Sequence, residues 1–216
     1  MYSYQEIRSI DTGGITYLEP MQGTADWYWG RDYDSGDLYE AEEIHRMGKP
    51  VRPNKLVLVR YPEGEPVWPV EPKPGQYFGR PVFWDGKVVL LLVDFPAGEI
   101  RLLTFDGEKT EPLVTLPLSS VKDCYNLMLH TAPLTLTRQS ADHEFQIVWP
   151  EQVSFSIHPH DSFSFRDGDR LYFSRWQEDP DYREESVVRD ARTGAVLEIR
   201  PGTLMDLPDG QIWRLG

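Results

Sequence analysis

The chain has 216 residues, of which 40% are hydrophobic, and its seven Trp, eleven Tyr and nine Phe side chains supply large apolar surfaces to bury. These features exclude a disordered chain and predict a folded protein with a substantial core. Twenty-two Lys and Arg residues against 35 Asp and Glu residues give a formal net charge of −13 at pH 7, which repels phosphate backbones, so we expect no nucleic-acid partner.

The amino-terminal segment, MYSYQEIRSI (1–10), carries no targeting signal. It lacks a basic start and an apolar run of signal-peptide length, so we expect a cytoplasmic protein. The longest purely apolar run, VVLLLV (88–93), is far shorter than the roughly 20 residues of a membrane helix, so we expect no membrane association. Cys124 is the only cysteine, which excludes an internal disulfide and a cysteine-based zinc site.

Along the chain, one segment has the composition of a helix, DLYEAEEIHRM (37–47). The other elements are predicted to be short strands, because each is a run of branched and aromatic residues bounded by Gly, Pro or Asp turns. In chain order these runs are KLVLVRY (55–61), KVVLLLVDF (87–95), EIRLLTF (99–105), PLTLTRQ (133–139), EFQIVW (144–149), VSFSI (153–157), RLYFSRW (170–176) and AVLEIR (195–200). We therefore predict an all-β chain that forms a single domain over residues 1–216.

Asp-Gly pairs recur along these strands at a long period. Asp85-Gly86 and Asp167-Gly168 are 82 residues apart, and Asp209-Gly210 follows 42 residues later. A further turn is expected near position 126, because Asn126 can take the left-handed backbone that such turns require. An earlier turn is expected in YDSGDLY (33–39). The spacing predicts five units of roughly 41 to 50 residues.

The two ends of the chain carry matching pieces of one unit. The Glu-Ile-Arg triplet at 6–8 recurs at 99–101, and a glycine turn follows it in both places. Gly86 lies 13 residues before Glu99, and joining the chain ends would place Gly210 12 residues before Glu6. The amino-terminal strands are therefore expected to complete the unit that the carboxyl-terminal strands begin.

This pattern resembles the β-propeller superfamily, in which four-stranded blades of about 40 to 45 residues are arranged radially. The resemblance covers the whole chain and consists of spacing and turn type. It implies five blades of about 43 residues, with the last blade closed by the amino- and carboxyl-terminal strands, and it implies nothing about activity. A four-bladed propeller and a sandwich or open barrel are the alternatives.

The resemblance also implies where a ligand would bind, since the starts of the innermost strands of a propeller face the mouth of its channel. Five segments hold this position: ADWYWG (25–30), GQYFGR (75–80), KDCYNL (122–127), HPHDSF (158–163) and TLMDLP (203–208). The ligand-binding residues expected there are Asp26, Trp27, Gln76, Tyr77, Asp123, Tyr125, His158, His160, Asp161 and Asp206.

The imidazoles of His158 and His160 have two interpretations. A His-x-His pair on an extended strand sends both rings to one side, as zinc requires, but a third ligand has to come from another blade. The favoured interpretation is that Pro159 breaks the strand and leaves loop histidines that are hydrogen-bonded to their neighbours. We therefore expect no metal and no cofactor.

The carboxylates and tryptophans also have two interpretations each. Asp26, Asp123, Asp161 and Asp206 lie where five-bladed glycosidases, which this layout resembles, carry their acid and base carboxylates. No motif specific to those enzymes is present, so solvated or turn-capping aspartates are favoured. Trp27 and Trp29 are two residues apart, so both rings lie on one face of the strand, and this arrangement favours packing over sugar stacking.

Three functions follow as expectations, and no catalytic residue is assigned. The leading one is a noncatalytic module that binds a small molecule or glycan, because small five-bladed lectins resemble the chain in size, and Trp27, Tyr77 and Tyr125 are suited to stacking on a sugar. The second is a protein-interaction scaffold whose contact surface is the acidic segment QEDPDYREE (177–185). The third is a glycoside hydrolase that uses the carboxylates at the channel mouth.

Overall fold

The computed structural model describes residues 7–32, 36–207 and 211–216. Within these ranges the chain forms nineteen short strands, one α-helix and one 3₁₀ turn. In chain order they are β1 (Glu19–Pro20), β2 (Trp27–Arg31), α1 (Leu38–Arg46), β3 (Leu56–Arg60), β4 (Glu65–Val67), β5 (Gln76–Phe78), β6 (Val82–Trp84), β7 (Lys87–Asp94), β8 (Glu99–Phe105), β9 (Thr110–Pro117), the 3₁₀ turn (Leu118–Ser120), β10 (Met128–Thr131), β11 (Leu134–Gln139), β12 (Glu144–Trp149), β13 (Val153–Ser156), β14 (Asp161–Asp167), β15 (Arg170–Gln177), β16 (Arg183–Asp190), β17 (Val196–Pro201), β18 (Thr203–Asp206) and β19 (Ile212–Leu215).

The predicted all-β class is confirmed. Each of the eight predicted strand segments forms a strand, namely β3, β7, β8, β11, β12, β13, β15 and β17. The one segment with helical composition forms α1, which begins with a capping box: the Asp37 carboxylate accepts from the backbone N–H of Glu40 at 2.9 Å, and the Glu40 carboxylate accepts from that of Asp37 at 2.7 Å. These bonds satisfy two backbone donors that the first helical turn leaves without an intrahelical partner.

The strands form five separate antiparallel sheets, each built from strands that follow one another in the chain. The first sheet contains β1 to β4, the second β5 to β9, the third β10 to β13 and the fourth β14 to β17. The fifth contains only β18 and β19 and is called the C-terminal hairpin below. In the second sheet, β5 and β6 both pair with β7, so one long strand holds two short ones.

The predicted five-bladed β-propeller is wrong, because none of the five sheets formed by the described residues closes or curls into a propeller. The described residues also do not show the predicted closure by the two chain ends. The first described strand, β1, pairs with β2, and the last strand, β19, pairs with β18. Part of the segment expected to close the ring, residues 1–6, lies outside the described residues.

The Asp-Gly period reflects local turns between paired strands. Asp85 and Gly86 have φ angles of 49° and 77° and join β6 to β7, and Gly168 lies in the turn from β14 to β15. Asn126 has the expected positive φ of 46°, but it precedes β10, and the turn between β10 and β11 is at 132–133. Any series of antiparallel hairpins needs such turns, so the period does not encode how the sheets are arranged. The Asp209-Gly210 turn lies outside the described residues.

The core lies between sheets that pack face to face in chain order. The first sheet packs on one face of β7, the opposite face of β7 packs on α1 and the third sheet, and the third sheet packs on the fourth. Val88 and Leu90 belong to the cluster with the first sheet, whereas Val89 and Leu91 belong to the cluster with the third. Because both faces of β7 are covered, its sequence is apolar at consecutive positions rather than at alternate ones.

Two amide side chains, the buried Asn54 and the half-buried Gln139, connect neighbouring sheets. The Asn54 side chain donates to the Phe78 carbonyl at 3.1 Å and accepts from the Phe78 N–H at 2.7 Å. The Gln139 side chain donates to the Asp161 carbonyl at 2.7 Å and accepts from the Phe163 N–H at 2.8 Å. Each amide therefore makes the two hydrogen bonds that a residue of a neighbouring β-strand would make. It thereby satisfies two backbone groups that would otherwise have no hydrogen-bond partner.

Candidate functional site

A cavity of about 470 Å³ lies where segments of four sheets meet. Its walls come from the turn between β1 and β2, the turn between β10 and β11, the end of β14 and the C-terminal hairpin. The apolar side chains that line it are Pro20, Met21, Ala132, Phe165, Leu207 and Ile212. The polar residues that line it are Gln22, Thr24, His130, Thr131, Arg166 and Asp167.

The turn that forms the first wall is held against the second sheet. The Gln22 carbonyl accepts from the Phe83 N–H at 2.8 Å, and Gln22 forms an isolated parallel bridge with Val82. The next residue, Gly23, has a φ of 91°, and a Cβ atom there would lie 2.2 Å from the Phe83 carbonyl oxygen. Only glycine allows this approach, so the turn keeps a fixed position at the cavity.

His130, at the wall formed by β10, is a buried neutral imidazole. Its Nε2 atom lies 3.0 Å from the Thr137 hydroxyl oxygen, and its ring meets the Phe163 ring edge-on at 4.7 Å. Burial lowers the pKa of His130 to about 4, because an imidazolium would lose its hydration there. At neutral pH this wall therefore presents an uncharged ring.

Arg166, at the end of β14, is a buried cation whose donors are already engaged. Two of its guanidinium nitrogens each lie 3.2 Å from a Glu151 carboxylate oxygen, and Nη1 also donates to the Thr135 hydroxyl at 3.2 Å. Its Nε donates to the Gly168 carbonyl at 2.8 Å. Arg166 lowers the pKa of the Glu151 carboxyl, so the pair stays ionised and the two charges compensate each other.

The cavity thus combines an apolar lining, a neutral imidazole and a compensated ion pair. The one further ionic group of the lining, Asp167, is an exposed residue. Small-molecule sites in proteins are concave, mostly apolar, and about 300 to 1,000 Å³ in volume, with a few polar groups that orient the ligand. The geometry and charge of this cavity match that description for an uncharged ligand.

Acid is expected to destabilise the protein through His130. The imidazole has a pKa of about 4 when folded and 6.5 as its ordinary value, so between these pH values the unfolded chain binds a proton that the folded chain does not. The free energy of unfolding therefore falls as the pH falls through this window, by up to about 3 kcal/mol. The measurement is urea unfolding of the native sequence and of His130→Gln at several pH values. The other titrating groups are the same in both proteins, so the difference between their free energies of unfolding reports on His130. We expect the native sequence to lose stability relative to His130→Gln as the pH falls. A difference that does not change with pH would contradict the prediction.

Of the ten residues predicted to bind a ligand, the nine whose side chains the structure describes do not line this cavity. Trp27 and Tyr77 are core residues, and the Tyr77 hydroxyl donates to the Gly36 carbonyl at 2.6 Å. The Gln76 side chain is buried and donates to the Asp94 carboxylate at 2.7 Å. Asp26 is exposed at the start of β2. Asp206 lies in β18, and its side chain is outside the described residues.

Asp123 and Tyr125 lie in the segment before β10. The Asp123 carboxylate forms an ion pair of 2.6 Å with Arg138, whose side chain is fully buried. Tyr125 is partly exposed and meets the Tyr39 ring edge-on at 5.1 Å. These contacts join the segment to the third sheet and to α1.

His158, His160 and Asp161 are brought together in one turn at the start of β14. The His160 ring stacks on Trp176 with 4.5 Å between ring centroids and an interplanar angle of 3°, and its Nδ1 lies 3.0 Å from the Trp176 carbonyl oxygen. The His158 Nδ1 accepts from the His160 N–H at 3.2 Å. Within the described ranges, no group of three or more His, Cys, Asp or Glu side chains is arranged to hold a metal ion.

Asp161 is the centre of a buried ionic cluster. Its carboxylate accepts from Arg175 Nε at 2.6 Å and from Arg189 Nη2 at 3.0 Å, and its side chain is fully shielded from solvent. Burial alone would raise the pKa of Asp161, but the two guanidinium groups outweigh it and lower the pKa. The carboxylate is therefore held ionised, which argues against a role as a general acid.

The sequence analysis did not single out the cavity residues, because it placed the expected site at the starts of the inner strands. The expected site lay at the start of each inner strand, whereas β14 contributes its last three residues, Phe165, Arg166 and Asp167. A signal was present in the sequence: Phe165 and Arg166 directly precede the Asp167-Gly168 turn, and His130 lies two residues before the Ala132-Pro133 turn of the third sheet.

Comparisons with known proteins place this chain in no family. No family model matches the sequence. No curated protein matches it either. Separately, none of the helices in the part of the chain that the structure describes is long and apolar enough to cross a membrane.

Proposed function

We propose that this protein is a noncatalytic binding module that holds an uncharged small molecule in the cavity between its sheets. The observation that carries the proposal is the cavity of about 470 Å³, to which four sheets contribute. Its apolar residues offer contact area, and the hydroxyl groups of Thr24 and Thr131 offer hydrogen bonds.

The charge of the lining selects the ligand class. His130 is neutral, Arg166 is compensated by Glu151, and the exposed carboxylate of Asp167 disfavours an anion. A ligand with an apolar body and several hydroxyl groups fits such a lining best. Glycosides with an apolar aglycone belong to this class, and they extend the carbohydrate ligand expected from the sequence.

Ligand-observed NMR with phenyl β-glucoside and methyl β-glucoside tests the proposal. We expect saturation transfer from the protein to phenyl β-glucoside, and weaker transfer to methyl β-glucoside, because the phenyl group buries additional apolar surface. Ala132→Phe should weaken binding at least about tenfold by filling the cavity, which corresponds to about 1.4 kcal/mol.

The matched control is Ala97→Phe, which adds the same side chain at an exposed turn between β7 and β8. This variant should bind as the native sequence does. Absence of saturation transfer from the native protein, or equal binding by Ala132→Phe and Ala97→Phe, would overturn the proposal.

A protein-interaction role is a second proposal, and it is supported by one surface feature. The acidic segment 177–185 contains the turn between β15 and β16, residues 178–182, and there Tyr182 is 66% exposed. Exposed aromatic residues are enriched in protein interfaces. The glycosidase expectation receives no comparable support, because the Asp123 carboxylate pairs with the buried Arg138 and the Asp161 carboxylate with the buried Arg189.

A further inference from the structure

The C-terminal hairpin has one face that consists largely of exposed apolar side chains. Met205 pairs with Trp213, and Thr203 pairs with Leu215, so these four residues share a face. The exposed fractions are 39% for Met205, 51% for Trp213 and 49% for Leu215. Three large apolar side chains on one small face form a contiguous patch of the kind that marks interaction sites.

The outer edge of β19 also has free backbone groups. The Leu207 N–H donates to the Gln211 carbonyl at 2.8 Å, which identifies residues 207 and 211 as a hydrogen-bonded pair. Hydrogen-bonded pairs alternate along an antiparallel ladder, so Trp213 and Leu215 direct their backbone groups toward β18. Ile212 and Arg214 therefore direct theirs away from it. In the described part of the chain, no strand pairs with this edge.

A two-stranded sheet with this composition needs further contacts. An isolated hairpin is at best marginally stable in water, and three or more strands with a hydrophobic face, or packing against a helix, are needed for independent stability. An uncovered strand edge is usually blocked by Lys, Pro or a bulge. The edge strand β19, with the sequence Ile-Trp-Arg-Leu, has no Lys, Pro or bulge, and Arg214 is its one charged residue.

We propose that the occupant of this edge is a second copy of the same chain, with β19 paired to the partner's β19 in antiparallel orientation about a two-fold axis. In this register Ile212 exchanges hydrogen bonds with the partner's Arg214. Trp213 then lies directly opposite the partner's Trp213 at a non-hydrogen-bonded position, where cross-strand side chains are closest.

Three observations favour a second copy over a different partner. An antiparallel strand edge is complementary to itself, which is the requirement for a two-fold interface. The pairing joins two hairpins into a sheet of four strands, the size of three of the other sheets in the molecule. Finally, β19 carries one arginine and no carboxylate, in a chain of net charge −13, so the two copies approach where their repulsion is weak.

The interface is distinct from the cavity, although both involve the C-terminal hairpin. Ile212 lines the cavity, and its side chain lies on the face opposite to Trp213 and Leu215. Dimer formation therefore leaves the proposed ligand site in each copy. The measured quantity is the oligomeric state, so the result does not depend on whether the cavity binds a glycoside.

Sedimentation velocity over micromolar to millimolar protein concentrations tests the proposal. We expect a monomer–dimer equilibrium for the native sequence and loss of the dimer in Trp213→Glu, which would place two carboxylates opposite each other. The matched control is Trp84→Glu, which makes the same charge change at another exposed tryptophan on β6 and should leave the dimer intact. Circular dichroism should show equal folding of both variants.

Disulfide cross-linking tests the register. Opposite Cα atoms at a non-hydrogen-bonded position lie about 4.5 Å apart, which a disulfide can bridge, so oxidised Trp213→Cys should form a covalent dimer. Met205→Cys, on the same face of β18, would be separated from its counterpart by three strand spacings, or about 14 Å, and should not cross-link. The native Cys124 is buried, and the unsubstituted protein serves as the blank.

Each outcome of these two experiments either supports the dimer or contradicts it. A protein that stays monomeric at all concentrations would overturn the proposal. Equal cross-linking of Trp213→Cys and Met205→Cys, or a dimer that persists in Trp213→Glu, would overturn it as well. A concentration-dependent dimer that Trp213→Glu abolishes and Trp213→Cys traps would support it.

Discussion

Asp161→Ala is expected to lower the free energy of unfolding by about 3–5 kcal/mol, because it leaves two buried guanidinium groups without their counter-charge. Arg175 and Arg189 both bond to this carboxylate and are only 12% and 9% exposed. Most of the surface of both cations is therefore out of contact with water in the folded chain. Urea unfolding at neutral pH measures the change.

Asp26→Ala is the matched control for this prediction. Asp26 was predicted to line the same ligand site as Asp161, but it is exposed, so its replacement should change stability by no more than about 0.5 kcal/mol. If Asp161→Ala lowers the free energy of unfolding no more than Asp26→Ala does, the ionic cluster does not stabilise the fold. Asp161 would then be a candidate for a functional role.

Trp27→Ala is expected to destabilise the protein by about 3–5 kcal/mol, because it removes a large side chain from the core between the first and second sheets. The Trp27 side chain is 8% exposed, meets Phe105 edge-on at 6.3 Å between centroids, and lies 5.9 Å from the guanidinium carbon of Arg60. Thermal or urea unfolding measures the loss.

Two further variants serve as controls for Trp27→Ala. Trp27→Phe keeps most of the apolar volume and should lose much less stability, whereas Trp84→Ala removes a tryptophan that is 37% exposed and should cost less than about 1 kcal/mol. If Trp27→Ala folds with native stability and instead loses glycoside binding, the sugar-stacking interpretation is correct and the packing interpretation is wrong.

The candidate site could be predicted only in part from the sequence. The segment 158–161 was identified as a cluster, and its residues do lie together in one turn. Its chemistry depends on Arg175 and Arg189, which come from the two following strands of the same sheet. Nothing in the spacing of the cluster indicates these partners, because they are fixed by the register of β14, β15 and β16.

The sequence marks the turns near which the cavity residues lie, but it does not show that these turns meet in one cavity. Within their own segments, His130 and Phe165 have no feature that distinguishes them from the other residues of a mainly apolar strand. They become one wall only because the third and fourth sheets pack together. The prediction that ten residues meet at one channel mouth depended on a radial arrangement of the sheets. The described residues do not show that arrangement.

The sequence by itself determined the local structure of this protein: the strand segments, the single capped helix and the hairpin turn at Asp85-Gly86. Side-chain period, capping and turn geometry act over a few residues, so they can be inferred from the residues concerned. Only the tertiary structure decided which faces meet, where the cavity forms and which charges become buried together. Apolar faces attract one another without direction, so their pairing depends on the packing of the whole chain rather than on any one segment.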